Sequence, residues 1–367
     1  MKLRICLIVP THNRHQFVKR LLCYYISTQF ALRIVVVDSS ESDAATRNQK
    51  LVDELLKIES NLVLEYHHTS ERFPQESPPI VHEKIQWALG MVDAKYIAMC
   101  ADDDFLVPGA LEKFADFLDN NSDYCCARGR IYDFVASNDG SFRLLPAPHW
   151  CSVEAEDPCE RVWLASRYYQ QSFYALFRGD VLREVQNSLP ARFLRKPSWM
   201  DELSFSSFAA VIGKMKRFDF PHEYRELHDS NYGHMVPRWP EMAFDDELRP
   251  FVIDYFYALK GLILRQHPSV DEASAIKSAY GSLVAFSKWY YEIRYRDSQN
   301  RPRGTGSLEL RDPLLRLLDK TYELYHWLKQ AYLRRRALRQ PETRAVMAAV
   351  SEHKACSVPS VPNIHIS

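Results

Sequence analysis

The sequence predicts an α/β chain, a mixed and mostly parallel sheet flanked by helices, followed by an α-helical C-terminal extension. Over roughly the first hundred residues, short β-branched apolar runs alternate with stretches of helical periodicity, the pattern of right-handed βαβ units whose sheet is covered on both faces. From Pro240 onward the short runs give way to long helical periodicity.

Leu3 to Val9 is nearly continuously apolar and reads as a buried strand, ended by Pro10-Thr11-His12-Asn13-Arg14. A helix over 15–27 follows, with Phe17, Leu21, Leu22, Tyr25 and Ile26 spaced for one buried face. Arg33 to Val37 is a second strand, ended by Asp38-Ser39-Ser40; Leu51, Val52, Leu55, Leu56 and Ile58 make 44–58 a helix; Leu62 to Tyr66 is a third strand. His67 to Pro79 is a polar, proline-bearing loop of the kind that often carries function. A helix over 80–91 leads to the fourth strand, Tyr96 to Cys100.

After Phe105, Tyr124 to Arg128 and Arg130 to Val135 read as strands, Pro146 to Pro158 as a loop and Tyr168 to Phe177 as an extended aromatic stretch. Gly179-Asp180 opens a short helix to Leu189, and Lys196 to Glu202 opens one that buries Leu203, Phe205, Phe208, Ala209 and Ile212 and stops at Gly213. Lys216 to Phe220 and Tyr224 to Leu227 read as strands. Helices are expected over 244–266, 270–295 and 308–339, with a flexible connector over 297–307 and a disordered tail from Pro341. The expected division is therefore 1–239 for the sheet domain, 240–340 for the helical region and 341–367 for the tail.

Lysine plus arginine and aspartate plus glutamate both number 47 in the 367 residues, so no global field attracts nucleic acid. The apolar content of 46% belongs to a globular protein. No apolar run reaches the roughly 18 residues of a spanning helix, and Met1-Lys2-Leu3-Arg4 enters a strand without a signal-peptide core, so a cytoplasmic chain is expected. The eight cysteines show no zinc spacing and read as reduced and structural.

Three strand ends carry polar clusters: Thr11 to Arg14, Asp38-Ser39 and Asp102-Asp103-Asp104. In a parallel sheet these converge at the carboxyl edge, where ligands bind. Adjacent carboxylates repel, and either a cation or water can relieve the repulsion; the ordinary alternative is a solvated acidic turn capping the helix at Pro108. With only 11 glycines and neither phosphate-cradling glycine motif, a bound diphosphate would need carboxylates holding a divalent cation that in turn holds the phosphates.

Ile8-Val9-Pro10-Thr11-His12-Asn13-Arg14, then Val35 to Ser40, then Tyr96 to Leu111, together resemble family 2 glycosyltransferases of the Rossmann-type GT-A fold, clearly over 3–115 and more weakly to 235. The resemblance implies a metal-dependent, inverting transfer of one sugar from a nucleotide-diphospho-sugar to a glycan or lipid-linked acceptor hydroxyl, in bacterial-type surface glycan assembly, with Mn²⁺ or Mg²⁺ as cofactor. It implies that Thr11, Asn13, Asp38 and Asp102 lie at the nucleotide and that Asp103 is the principal metal ligand, joined by Asp104. Ser39, Arg14, Arg72 and Lys84 join the donor-binding set, although a solvated cation is the ordinary reading of the last three. His228, at the start of a polar segment after a strand, is a further candidate ligand. The sequence departs from the family at Ala101, where the first acid of the D-x-D pattern would stand, at Ser39 and at His12.

Ser198-Trp199-Met200-Asp201 has capping-box spacing, and an acid opening a late helix resembles the family's catalytic position. Asp201 is accordingly the first candidate base, with Glu202 second. Two alternatives remain: a nucleotidyltransferase acting on a sugar phosphate, and a nucleotide-sugar-binding protein without turnover. Residues 308–339 interleave basic and apolar residues, as a helix lying on the inner face of a membrane would.

Overall fold

The computed structural model describes residues 3–73, 81–136, 142–146, 151–169, 171–195, 199–228, 231, 239, 242, 245–299 and 335–352. Its first half follows the predicted alternation: β1 (Ile5–Thr11), α1 (His15–Thr28), β2 (Arg33–Asp38), α2 (Ser42–Leu55), β3 (Val63–His68), α3 (Val81–Leu89) and β4 (Tyr96–Met99). β1 pairs in parallel with β2 and β4, and β2 with β3. Both faces of β1, β2 and β4 are covered. Cys6, Ile8, Val35, Val37, Ile97 and Met99 join one core, while Leu7, Val9, Ile34, Val36, Ala98 and Cys100 join the other. The continuous apolar runs follow from that, since consecutive side chains in a strand point to opposite faces.

The second half of the sheet is mixed. β5 (Phe105–Leu106) precedes α4 (Pro108–Asn120), and β6 (Tyr124–Ala136) pairs with β7 (Phe142–Pro146). After α5 (Pro158–Arg167) come β8 (Leu176–Arg178), α6 (Gly179–Asn187), α7 (Ala191–Arg195), α8 (Trp199–Ile212) and β9 (Lys214–Glu226). The nine strands run in the order β3-β2-β1-β4-β8-β6-β9-β5, with β7 outside that path on β6. β8 enters antiparallel to both β4 and β6, and β9 is parallel to β6.

Several elements differ from the sequence reading. Tyr124 to Arg128 and Arg130 to Val135 form one strand, β6, whose register against β9 shifts at Arg130, opposite Pro221. Gly129 permits this, because a Cβ there would lie 2.5 Å from the Phe220 carbonyl oxygen and 2.7 Å from His222 Cβ. The two strands expected over 216–227 are likewise one. α5 was absent from the reading, although Asp157 caps it by accepting from Cys159 N at 2.7 Å and Pro158 stands at its start. The stretch 168–177 is strand only at its end; Tyr169, at φ 41°, turns the chain before it.

The C-terminal helices α9 (Arg249–Gln266) and α10 (Glu272–Gln299) share the first core with α5 and α8. Tyr255 of α9 donates to Ser207 Oγ at 3.0 Å, and its hydroxyl also meets Ser282 of α10. Residues 341–352, read as the start of a disordered tail, form a helix, α11 (Pro341–Glu352). Val346 and Val350 are buried in the core on the α1 face, and the Thr343 hydroxyl meets that of Tyr224. Small apolar residues set one helical turn apart supply this docking face, and a polar, proline-rich context concealed it. Among the described residues no helix is long and apolar enough to cross a membrane. The basic amphipathic stretch expected over 308–339 lies outside the described residues up to 334.

Candidate active site

The carboxyl ends of β1, β2 and β4 bring together the three polar clusters that the sequence separates. Asp102-Asp103-Asp104 occupy the turn between β4 and β5, closed by Asp104 N donating to the Ala101 carbonyl at 3.3 Å. Thr11, at the end of β1, donates its hydroxyl to Asp102 Oδ2 at 2.6 Å. Lys84, reaching up from α3, donates to the Thr11 carbonyl at 2.8 Å. Burial pushes the Lys84 ammonium down to about 8 against the pull of Asp38 and Asp102.

Asp38 organises the adjoining loop. Its carboxylate is fully buried and accepts from Ser40 N, Asn48 Nδ2 and the Tyr66 hydroxyl, each at 2.7 Å. Asn13 adopts φ 54°, in the left-handed region where Asn is tolerated. There its N–H donates to Ser40 Oγ at 2.7 Å and its side-chain oxygen accepts from Glu41 N at 2.9 Å. Ser39 contacts His12 through its carbonyl and hydroxyl, at 3.0 and 3.2 Å. Arg72 is exposed beyond β3 and lies over the ring of its neighbour Phe73; no contact joins it to the acidic turn among the described residues.

The three carboxylates of the triplet are in three different settings. Asp102 accepts from Thr11 and, through Oδ1, from Arg14 Nη1 at 2.7 Å. Burial pushes it up to about 7, opposed by Arg14 and reinforced by Asp103. Asp103 Oδ2 meets Arg14 Nη2 at 2.6 Å and His228 Nε2 at 2.8 Å. Burial alone would raise its pKa, but the hydrogen bonds from His228 and Arg14 outweigh it and hold Asp103 below the usual carboxylate range. Asp104 Oδ1 instead accepts from Glu226 N at 3.1 Å, and burial beside Asp103 and Glu223 pushes this carboxyl well above the usual range. Asp104 thus serves the β5–β9 junction, which argues against the metal-ligand role expected for it.

The donor chemistry of Asp103 and His228 suits a divalent cation, a hard carboxylate beside a neutral imidazole. Among the described residues no third His, Cys, Asp or Glu joins them. A cation held by two protein groups keeps its remaining positions for substrate phosphate and water, the common arrangement for Mg²⁺ and its analogues. Asn231 fixes the turn that carries His228, accepting from His228 N at 2.7 Å and donating to the Glu226 carbonyl at 3.0 Å.

Asp201 and Glu202 open α8, and their surroundings diverge. Asp201 is fully buried; its Oδ2 lies 3.1 Å from His82 Nε2 and its Oδ1 accepts from Glu202 N at 2.8 Å. Ser198, the expected N-cap, is outside the described residues. Glu202 is partly exposed and accepts from the Tyr169 hydroxyl. Its pKa is raised, by burial first and then by the charge of Asp201, while Tyr169, Arg225 and His82 oppose the rise. Arg225, paired with Asp133 at 2.8 Å, also feels the charge of Asp104, so one guanidinium lies within electrostatic reach of both the acidic turn and the start of α8.

His82, Tyr169 and Arg225 escaped sequence reasoning. His82 stands two residues before Lys84 on a helix already assigned to the site, and Tyr169 sits in the aromatic stretch before β8. Both positions were visible, but their partners are 119 and 33 residues away.

Residues 6–185 match the family model described as Glycosyl transferase family 2. Solved structures similar to the chain include S. aureus TarS 1-349, at 15% identity and TM-score 0.45 over 82% of this chain and 93% of that one. The same protein in complex with UDP-GlcNAc matches at 14% identity and TM-score 0.45, covering 80% of this chain and 92% of that one. The mannosyltransferase PcManGT from Pyrobaculum calidifontis in complex with GDP-Man and Mn2+ matches at 14% identity and TM-score 0.38, over 97% and 86% of the two chains. No curated protein matches.

Proposed function

Through residues 6–185 the chain belongs to glycosyl transferase family 2, and from that premise we propose that it moves one sugar from a nucleotide-diphospho-sugar to an acceptor hydroxyl, with inversion, aided by a divalent cation. The observation that carries this reading is the approach of Asp103 Oδ2 and His228 Nε2 to 2.8 Å, beside an Asp102 already engaged by Thr11 at the sheet's carboxyl edge. Asp103 and His228 would hold the cation, whose charge would stabilise the departing nucleoside diphosphate. Asp104 is left out of the ligand set, for the reason given above.

The base in this proposal is Glu202, with Asp201 as its positioning neighbour. Both acids open α8, but Asp201 is sealed from solvent and engaged by His82, whereas Glu202 is partly exposed. As the acceptor oxygen bonds to the anomeric carbon and the bond from that carbon to the diphosphate oxygen breaks, the hydroxyl proton passes to Glu202. Lys84 and Thr11 hold the strand end against which the nucleotide would lie. The acceptor is a hydroxyl-bearing glycan or lipid-linked glycan, and surface glycan assembly is the setting this chemistry fits.

A thermal-shift series with UDP, GDP and their sugar conjugates, with and without Mn²⁺, tests the reading, because a ligand that binds only the native state raises the melting temperature. The expected result is a shift by one nucleoside diphosphate that grows with Mn²⁺, together with slow release of that diphosphate from its sugar conjugate. No shift with any of them would overturn the proposal.

A further inference from the structure

Arg14 places its guanidinium against both atoms that would hold the cation. Its Nη2 lies 2.6 Å from Asp103 Oδ2 and 3.1 Å from His228 Nε2, the same two atoms that approach each other to 2.8 Å. Its Nη1 lies 2.7 Å from Asp102 Oδ1. On the side of the two atoms that Arg14 occupies, a divalent ion bonded to oxygen and nitrogen at the usual distance of about 2.1 Å would overlap that Nη2. The guanidinium is also held from behind: it lies 4.3 Å over the ring of Phe17, which stacks on His228 with centroids 5.0 Å apart. Phe17 and Arg14 lie close together at the start of α1, so the arrangement is built into the end of β1 and the first turn of the helix.

We infer that Arg14 is an internal counter-cation that occupies the divalent-cation position until a diphosphate arrives, making cation binding conditional on the nucleotide. A bare Mn²⁺ would have to break both carboxylate pairs and leave the guanidinium beside a second positive charge. A Mn²⁺–nucleoside diphosphate complex brings its own anion, to which the fork of Arg14 can turn bidentately. The nucleotide and the cation are then coupled through one side chain, and the coupling is reciprocal, with an ordinary range of about 5- to 150-fold. This inference rests on the proposed cation site at Asp103 and His228.

The test is Mn²⁺ binding followed by the electron paramagnetic resonance signal of the free ion, on the full chain, with and without UDP and GDP. Wild type should bind Mn²⁺ at least tenfold more tightly with its nucleoside diphosphate than alone. Arg14→Gln should bind Mn²⁺ alone at least tenfold more tightly than wild type and lose most of the enhancement by nucleotide. Arg14→Lys, which keeps the charge without the fork, should fall between them. Equal affinity of wild type for Mn²⁺ with and without nucleotide overturns the inference while leaving the cation site standing, and this needs no variant to fold. Arg14→Gln binding Mn²⁺ no more tightly than wild type, at an unchanged melting temperature, also overturns it. Absence of Mn²⁺ binding under every condition overturns the cation site and the inference together.

Discussion

The Tyr169 hydroxyl donates to the Glu202 carboxylate, and the ring of Tyr169 is clamped by helices outside the matched family segment. Trp289 lies 4.4 Å and Phe286 5.3 Å from it, both on α10, and Trp199 of α8 lies 5.8 Å away. The C-terminal extension thereby reaches the proposed base through one buried tyrosine.

A consequence concerns pH. Glu202 accepts a proton from the acceptor only when ionised, so the rate rises with pH through its pKa, which burial and Asp201 raise. Tyr169→Phe removes a hydrogen bond to the charged form, so the pKa climbs further and the acid limb of the kcat/KM profile moves to higher pH. The variant should be impaired more on the acid limb than on the plateau of the profile, read as nucleoside diphosphate released by transfer or hydrolysis. An unmoved acid limb would separate Tyr169 from the base.

The triplet should behave unequally. Asp103→Ala and His228→Ala should each abolish the Mn²⁺-dependent part of the thermal shift given by nucleoside diphosphate. Asp104→Asn should keep that part, because this carboxyl is held well above the usual range and an amide resembles its neutral form. Loss of Mn²⁺ dependence in Asp104→Asn would restore Asp104 to the ligand set.

The strands, the helices between them and the convergence of Thr11, Asp38 and Asp102 at one edge were legible because βαβ periodicity and strand-end chemistry are local signals. β6 and β9 were divided because Gly129 and Pro221 look like breaks; each accommodates the other strand across the sheet, which only pairing reveals. The choice of Asp201 and Glu202 as candidate bases rests on a local signal as well. Helix-opening position is readable from sequence, whereas the sealing of Asp201 by His82 is a contact across 119 residues. Asp104 looked equivalent to its neighbours because nothing local announces that Glu226 N will claim it.

The two acids of α8 can be told apart by turnover against stability. Glu202→Gln should lose on the order of a hundredfold or more in turnover with nucleotide binding retained. Asp201→Asn leaves an amide against His82 and Glu202 N, so it should keep turnover within about tenfold while lowering stability by about 1–3 kcal/mol for a disturbed buried pair. A dead Asp201→Asn enzyme with a live Glu202→Gln enzyme would return the base to Asp201.

Glu223 gives a prediction that does not depend on the reaction. It is fully buried on β9, and neither carboxyl oxygen has a hydrogen-bond partner among the described residues. Burial pushes it up to about 8, against the pull of Arg225, while an unfolded glutamate titrates near about 4.3. Between those values the folded chain keeps a proton that the unfolded chain has released, so the folded state binds more protons and stability falls as pH rises. The contribution is fully present below the unfolded value and is lost as pH rises toward about 8. Glu223→Gln removes the titration while keeping the shape, and Asp133 still holds Arg225 at 2.8 Å. At pH 4 the variant should nearly match wild type; at pH 8.5 it should be more stable by at least about 1–3 kcal/mol, since that is the cost of an unpaired buried polar group and a charged one costs more. Urea unfolding at the two pH values measures the difference, and parallel pH dependences of wild type and variant would show that Glu223 is solvated or paired when ionised.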